Sequence, residues 1–460
     1  MSLFFKGGQV VTATDQFIAD VYCEDSVITA IGSDMAVPAG AEVIDAQGKY
    51  LFPGFVDPHV HIYLPFMGTH AKDTYDSASR AALVGGTTTL IEMVCPSRQE
   101  QPLEAYRLWQ SKAEGISACD YSFHMGVTRF DDETKPQLCE IVEDGIASFK
   151  VFLAYKGAFG IDDTELYDTL KLAKELGVIV TAHCENETLV HQFQQQLLAE
   201  GKTGPEWHER SRPVRVEAEG VHHLMTFAEM TGAHVYVVHT SCDEAVRAAA
   251  AAKYRGVNVW IETVVPYLVL DESYAQQGDF EGAKYVMSPP LRNPRHQQLL
   301  WNSIRSRLIS TVATDHAPFD FHGQKEMGRD NFTMIPNGIP SIEDRINLLY
   351  TYGVCRDRID LHTLVDAAST QAAKIFGLFP RKGTIAPGSD ADLVVYDPQW
   401  RGVITAEQQT MDVDYSAFEG LPLEGRPSLV TVRGKIQVRD GKFVGQPGHG
   451  QQLKRVPTHF

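Results

Sequence analysis

The middle of this 460-residue chain alternates short apolar runs with amphipathic stretches, and this alternation limits the fold more than any other feature. Strands and helices that alternate repeatedly are typical of a parallel sheet covered by helices. In the stretch TELYDTLKLAKELG, the apolar residues Leu166, Leu170, Ala173 and Leu176 share one helical face, and Gly177 ends the helix. Eight apolar runs are the candidate strands: FPGFVDPHVH, TTTLIEMV, DYSFHMGV, SFKVFLAY, VIVTAHCE, HVYVVHT, VNVWIETV and STVATDH.

Eight such units predict the fold class α/β, in the form of a (β/α)8 TIM barrel. A doubly wound parallel sheet is the competing architecture, but no GxGxxG motif follows the first strand and no Walker loop is present. Both ends of the chain instead alternate apolar and polar residues between glycines and aspartates, which is typical of short β-strands. We therefore predict a barrel over residues 53–378. Residues 1–52 and 379–460 are predicted to form a small β-sandwich together, the latter part including a C-terminal tail.

Charge and composition exclude several classes of protein. The chain has 59 acidic and 41 basic residues, and its net charge of −18 argues against binding to a nucleic-acid backbone. No apolar stretch approaches the roughly 20 residues that cross a bilayer, and the start MSLFFKGGQVV does not resemble a signal peptide. The seven cysteines include no CxxC pair, which argues against a disulfide framework. We expect a soluble cytoplasmic protein without nucleic-acid or membrane partners.

Metal-binding residue types stand at or near the ends of five predicted strands. They are His59 and His61 in the first, Lys150 in the fourth, His183 in the fifth, His239 in the sixth and Asp315 in the eighth. The C-terminal strand ends of a parallel barrel form one face, on which active sites are built. A lone histidine is more often a packing residue, but the shared placement of these residues predicts a metal site.

Lys150 is the unusual member of this set. An ammonium beside a dipositive metal is repelled, so a lysine at this place needs a neutral or negative form. Reaction of the uncharged amine with CO2 gives a carbamate, whose oxygens can bind two metals. The alternative is an ordinary strand lysine paired with a carboxylate, and spacing alone favours that alternative.

Several segments resemble the D-hydantoinase/dihydropyrimidinase group of cyclic amidohydrolases, in the amidohydrolase superfamily. They are GFVDPHVHIYLP, SFKVFLAYKG, VTAHCEN, YVVHTSC, YVMSPPLR, VATDHAPF and IPNGIPSIEDR. The resemblance runs nearly from end to end. It implies a (β/α)8 barrel, a β-sandwich from both termini, and two divalent metal ions bridged by a carboxylated lysine.

The resemblance also assigns the metal ligands and the base. It implies that His59, His61 and Asp315 bind the more buried metal, that His183 and His239 bind the second, and that carboxylated Lys150 (N6-carboxylysine, formed with CO2) bridges them. Zinc suits these ligands, and manganese or cobalt could substitute. Asp315 is expected to take the proton of a hydroxide that bridges the metals and to return it to the leaving ring nitrogen.

The implied substrate is a small cyclic amide, either a 5-substituted hydantoin or a dihydropyrimidine, which opens to an N-carbamoyl amino acid. Tyr155 is expected to polarise the scissile carbonyl, and the backbones of Ser288 and Asn337 are expected to hold the imide. Four residues on two apolar loops are expected to line a pocket for the ring substituent: Leu64, Phe66, Phe152 and Phe159.

Alternative activities remain within the same superfamily. Dihydroorotases place an arginine where this chain has Tyr63, which argues against that activity. Allantoinases carry an acidic segment after the paired histidines, which is missing here, but an allantoinase-type activity stays open. Non-catalytic assembly proteins related to dihydropyrimidinase lose the metal ligands, whereas this chain retains them. The physiological substrate, the stereochemical preference, the native metal, and the choice between a dimer and a tetramer are also open.

Overall fold

The computed structural model describes residues 2–457, which contain nineteen strands and thirteen α-helices. The first five strands are β1–β5: Leu3–Val11, Gln16–Glu24, Val27–Gly32, Glu42–Asp45 and Tyr50–Pro53. The next ten are β6–β15: Phe55–Val60, Pro65–Phe66, Thr69–His70, Thr87–Val94, Asp120–Gly126, Ser148–Phe152, Ile179–His183, His234–Val237, Val259–Val264 and Thr311–Ala313. The last four are β16–β19: Leu393–Val403, Pro422–Val432, Lys435–Arg439 and Lys442–Phe443.

The helices connect and flank these strands. They are α1–α13: Tyr75–Val84, Pro102–Ala113, Thr134–Glu143, Asp163–Leu176, Glu187–Ala199, His208–Ser211, Val214–Thr231, Asp243–Tyr254, Val265–Val269, Arg295–Arg305, Arg345–Leu348, Leu361–Val365 and Gln371–Ile375. Helix α4 shows how local sequence sets the bounds. Asp162 and Glu165 form a capping box at its start, and Gly177 ends it in the left-handed conformation, with φ of 69°.

The predicted barrel is confirmed. Strands β6 and β9 to β15 form one eight-stranded parallel sheet in chain order, and each candidate apolar run contributes one strand. The first and last strands come together at the C-terminal end, where the backbone N–H of Asp315 donates to the carbonyl of His59 (3.0 Å). The N–H of His61 donates to the carbonyl of His316 (2.7 Å) in the same place. Barrel closure therefore brings the first and last predicted metal ligands side by side.

The two termini form a second sheet together, as predicted. It has nine strands, and β5 lies between β1, to which it is parallel, and β16, to which it is antiparallel. An apolar core under this sheet takes residues from both ends of the chain, including Leu3, Val21, Leu51 and Leu393. Because β5 leads directly into β6, this sheet is joined to the start of the barrel.

The described part of the C-terminal tail packs on the barrel of its own chain. The N–H of Tyr121 donates to Gln451 (3.0 Å), the N–H of Leu453 donates to Tyr121 (2.7 Å), and the side chain of Arg455 is buried. Residues 458–460 of the tail lie outside the described residues. Within residues 2–457, no helix combines the length and the apolar character that crossing a lipid bilayer requires.

Candidate active site

The predicted metal ligands all lie at the C-terminal end of the barrel and are buried. Their positions are His59 in β6 and His61 just after it, Lys150 within β11, His183 at the end of β12, His239 two residues after β13 and Asp315 two residues after β15. Five different strands therefore deliver polar side chains to one place, as the common strand-end placement predicts.

One group of ligand atoms is already assembled for a metal. The Nε2 atoms of His59 and His61 lie 3.1 and 3.4 Å from Oδ1 of Asp315, and 3.3 Å from each other. One ligand atom from each of these three residues lies within 4.8 Å of the other two. Two imidazoles and a carboxylate at this spacing form a typical site for a divalent metal.

A second pair of histidines lies beside the first group. Nδ1 of His183 is 2.9 Å from Nε2 of His239, and the ring centroid of His239 is 5.4 Å from that of His59. Burial lowers the pKa of all three rings, which keeps them neutral. Neutral imidazole is the form that binds a metal.

Lys150 lies within the same interior and is fully buried. Its Nζ has no hydrogen-bond partner among residues 2–457 and lies 4.9 Å from the centroid of the Phe152 ring. Burial lowers the pKa of its ammonium, while Asp315 acts in the opposite direction. A buried ammonium without a hydrogen-bond partner is unfavourable, so burial favours the uncharged amine.

Three of the predicted site residues have a left-handed backbone, which is rare for residues other than glycine. Tyr155 has φ of 63°, His239 of 36° and Asp315 of 52°. Around Tyr155 the neighbours hold this conformation. Its N–H donates to Oε2 of Glu187 (2.6 Å), and its carbonyl accepts from the N–H groups of residues 158–160 at 2.9 to 3.1 Å. Backbone strain of this kind concentrates at functional sites.

Tyr155 lies in the same cleft as the two other residues that are predicted to bind the substrate. The side chains of Ser288 and Asn337 lie near its hydroxyl and act to lower its pKa, and Nδ2 of Asn337 donates to Oγ of Ser288 (2.9 Å). Burial raises the pKa of Tyr155, and the nearby Arg212 partly opposes this. The tyrosine therefore keeps its hydroxyl proton at neutral pH and can donate it in a hydrogen bond.

One cleft joins these groups. The predicted residues that line it are His61, Leu64, Phe66, Lys150, Phe152, Tyr155, Phe159, His183, His239, Ser288, Asp315 and Asn337, whereas His59 is not part of the lining. The rings of Phe66 and Phe159 stack with centroids 5.9 Å apart and form an apolar wall. The cleft thus combines a metal-type cluster, hydrogen-bond donors and an aromatic surface.

Comparison with known proteins decides the family. Residues 50–437 match the amidohydrolase family. The D-hydantoinase of Geobacillus stearothermophilus is 47% identical over 457 residues, which cover 99% of this chain and 97% of that relative. The chain belongs to the amidohydrolase family. Among solved structures, the D-hydantoinase (dihydropyrimidinase) from Thermus sp. has a TM-score of 0.98 and 62% identity, with 100% of both chains covered. The dihydropyrimidinase from Brevibacillus agri has a TM-score of 0.98 and 44% identity, again over 100% of both chains.

Within this family the chain falls into the D-hydantoinase/dihydropyrimidinase group, as its motifs predict. The amidohydrolase is therefore an enzyme, a hydrolase of cyclic amides. Family members typically depend on two metal ions, and the cluster of His59, His61 and Asp315 supplies a metal-type site here.

Two carboxylates that the sequence did not predict contact the predicted ligands of this amidohydrolase. Oε1 of Glu262 lies 2.8 Å from Nδ1 of His59 and accepts from the backbone N–H of His239 (2.8 Å). On the other side, Oε2 of Glu185 lies 2.8 Å from Nε2 of His183 and accepts from Arg212. A carboxylate on the outer ring nitrogen fixes the inner nitrogen toward a metal.

A signal for these two residues was present in the sequence. Glu185 follows His183 by two residues in VTAHCE, and Glu262 lies in VNVWIETV, the seventh candidate strand, from which no ligand was assigned. A buried strand that carries a carboxylate toward the active face is itself a reason to expect a partner. What the sequence could not give is which histidine each carboxylate would meet.

Proposed function

We propose that this amidohydrolase opens 5-substituted hydantoins and 5,6-dihydropyrimidines by hydrolysis and releases N-carbamoyl amino acids. The observation that carries the proposal is the single cleft in which a metal-type cluster, Tyr155, Ser288 and Asn337 face an aromatic wall. The names of the similar proteins, D-hydantoinase and dihydropyrimidinase, support the same two substrate classes.

We infer that two divalent ions bind, with Zn²⁺ as the first candidate and Mn²⁺ or Co²⁺ as substitutes. One would be held by His59, His61 and Asp315, and the other by His183 and His239. The donor set fits, because ring nitrogens and a carboxylate oxygen face one another in the interior at 2.9 to 3.4 Å. When bound, the ions supply Lewis acidity and activate the attacking water.

Lys150 would join the two groups as a carbamate. Its uncharged amine adds to CO2, forms a C–N bond and loses one proton, so the side chain becomes an anionic oxygen ligand. Burial lowers the pKa of Lys150 and so favours the uncharged amine that this reaction requires. The absence of a hydrogen-bond partner for Nζ among the described residues supports the same assignment.

Asp315 would act as the general base. Burial alone would raise the pKa of its carboxyl, but His59 and His61 beside it lower the pKa overall, so it is ionised at neutral pH. It can therefore accept the proton of the attacking water and deliver that proton to the ring nitrogen as the amide bond breaks.

Tyr155, Ser288 and Asn337 would orient the imide. The Tyr155 hydroxyl would donate to the carbonyl oxygen as negative charge develops on it. The backbone of Ser288 and Asn337 would hold the ring, and the wall of Leu64, Phe66, Phe152 and Phe159 would pack against its substituent.

A ring-opening assay on metal-loaded protein tests this function. Its substrates are 5,6-dihydrouracil, 5-phenylhydantoin, allantoin and dihydroorotate, each with a chelator-treated sample. We expect chelator-sensitive opening of the first two only. Opening of allantoin alone would replace the proposal by the allantoinase alternative, and silence with no bound metal would favour a non-catalytic assembly protein. Asp315→Asn should be inactive, whereas Asp320→Asn, on the same segment, is the matched control.

The domain division, the assembly state and the location in the cell are also proposals. We propose a barrel over residues 53–378, flanked by residues 1–52 and 379–460, which is supported by the end of β5 at Pro53 and the start of β6 at Phe55. We propose a homo-oligomer, a dimer or a tetramer, in the cytoplasm. Light scattering coupled to size-exclusion chromatography tests the assembly state.

A further inference from the structure

Lys325 is a buried lysine that the chemistry above does not use. It lies between β15 and α11, and its side chain is inaccessible to solvent. Its Nζ donates to three backbone carbonyls, those of Val286 (2.9 Å), Pro336 (2.8 Å) and Gly338 (2.7 Å). These bonds use all three donors of the ammonium. Among residues 2–457, no carboxylate forms an ion pair with it.

The three carbonyls belong to the two segments that carry Ser288 and Asn337. Val286 precedes Ser288 by two residues, and Pro336 and Gly338 flank Asn337 on both sides. The segments also contact each other directly, since the N–H of Gly338 donates to the carbonyl of Val286 (3.0 Å). The Lys325 ammonium therefore lies at the junction of these segments and is bonded to both.

Keeping a charge at this buried position costs free energy, which indicates that the charge has a specific role. Burial lowers the pKa of Lys325 well below the ordinary lysine value, and the three carbonyls that accept from Nζ are what favour its ammonium form. An apolar side chain of similar length would avoid this cost, but it would leave three buried carbonyls without their donor. The Pro336–Gly338 segment, which carries two of the three carbonyls, has no regular secondary structure. Gly338 has φ of 151°, and an added Cβ would lie 2.2 Å from the carbonyl oxygen of Ala317.

We propose that Lys325 is a positioning residue for the cyclic imide, because its three hydrogen bonds set the distance and orientation between the backbones of Ser288 and Asn337. The hydrogen bond to Pro336 also polarises the peptide group that contains the N–H of Asn337, which makes this N–H a stronger donor. The inference rests on the proposed function, in which these two backbones hold the substrate.

The test compares Lys325→Met with Lys382→Met in zinc-loaded protein, with 5,6-dihydrouracil as substrate. Lys382 is the matched control, because it is also buried but pairs with Asp120, Asp390 and Asp392 instead of backbone carbonyls at the cleft. For Lys325→Met we expect KM to rise about tenfold, the equivalent of one good hydrogen-bonded contact, with zinc content unchanged and kcat within about twofold. For Lys382→Met we expect a lower melting temperature and an unchanged KM.

Lys325→Gln keeps two donors without the charge and should give a KM between those of the wild type and Lys325→Met. This variant also allows the test to be made if Lys325→Met does not fold. An unchanged KM in a folded Lys325 variant, with only a lower melting temperature, would overturn the proposal and leave Lys325 a structural role. If the wild type does not open 5,6-dihydrouracil in the same assay, the proposed function fails instead.

Discussion

Replacing Tyr155 with phenylalanine removes one hydroxyl from the cleft and leaves the aromatic ring in place. The ring contacts are independent of the hydroxyl. Phe66 packs edge-on at 5.6 Å, and the Arg212 guanidinium lies 5.3 Å from the ring centroid. Folding should therefore lose only the polar interactions of the hydroxyl with Ser288 and Asn337, a cost of about 1 kcal/mol.

The effect on catalysis should be much larger than the effect on folding. If the hydroxyl donates to the carbonyl oxygen in the transition state, its loss should lower kcat by about 100- to 1,000-fold, or about 3 to 4 kcal/mol. Burial raises the pKa of Tyr155, so the hydroxyl stays protonated at neutral and mildly alkaline pH. The ratio of wild-type to variant kcat should therefore stay constant from about pH 7 to about pH 9.

The assay is steady-state opening of 5,6-dihydrouracil by zinc-loaded protein, with zinc content and melting temperature measured on the same samples. Tyr106→Phe is the matched control, because its hydroxyl donates to Asp144 (2.7 Å) on the outside of the barrel. A kcat for Tyr155→Phe within about twofold of wild type, in protein with normal zinc content, would refute the oxyanion role.

Three more predictions address other parts of the molecule. Lys150→Ala should bind fewer than two metal ions per chain and lose activity, and metal analysis that finds two ions with normal turnover would contradict the carbamate. Phe159→Ala should lower kcat/KM for 5-phenylhydantoin by more than about tenfold and that for 5,6-dihydrouracil much less, because only the first substrate needs the aromatic wall; equal losses would remove Phe159 from the pocket. Burial and the adjacent Asp344 raise the pKa of Glu343 to about 8, whereas an unfolded glutamate has a pKa of about 4.3. The folded state therefore binds the extra proton between these values, and its stability falls as pH rises through them. The melting temperature of Glu343→Gln should rise relative to that of wild type from about pH 5 to about pH 8, and a constant difference over this range would contradict the prediction.

Features that depend on neighbours along the chain were predictable. The run VTAHCE predicted a strand that delivers His183, and β12 ends at that residue. The pattern of TELYDTLKLAKELG predicted α4 and its end at Gly177. The predicted strand end at His239 was less exact, because β13 ends at Val237. His239 itself has a left-handed backbone, which no pattern in the sequence predicts. The sequence also did not determine the chemical form of Lys150, because a lysine paired with a carboxylate and a carboxylated lysine would both be a lysine at this position of the strand.

By itself, the sequence determined the strand–helix order, the β-rich character of both termini and the strand-end placement of the predicted metal ligands. Only the tertiary structure decided that Glu262 faces His59, 203 residues away, and that Lys325 joins the segments of Ser288 and Asn337. The physical reason is that periodicity encodes which face of an element is buried. The distance and direction between side chains from different elements depend instead on strand register, barrel closure and the packing of irregular loops.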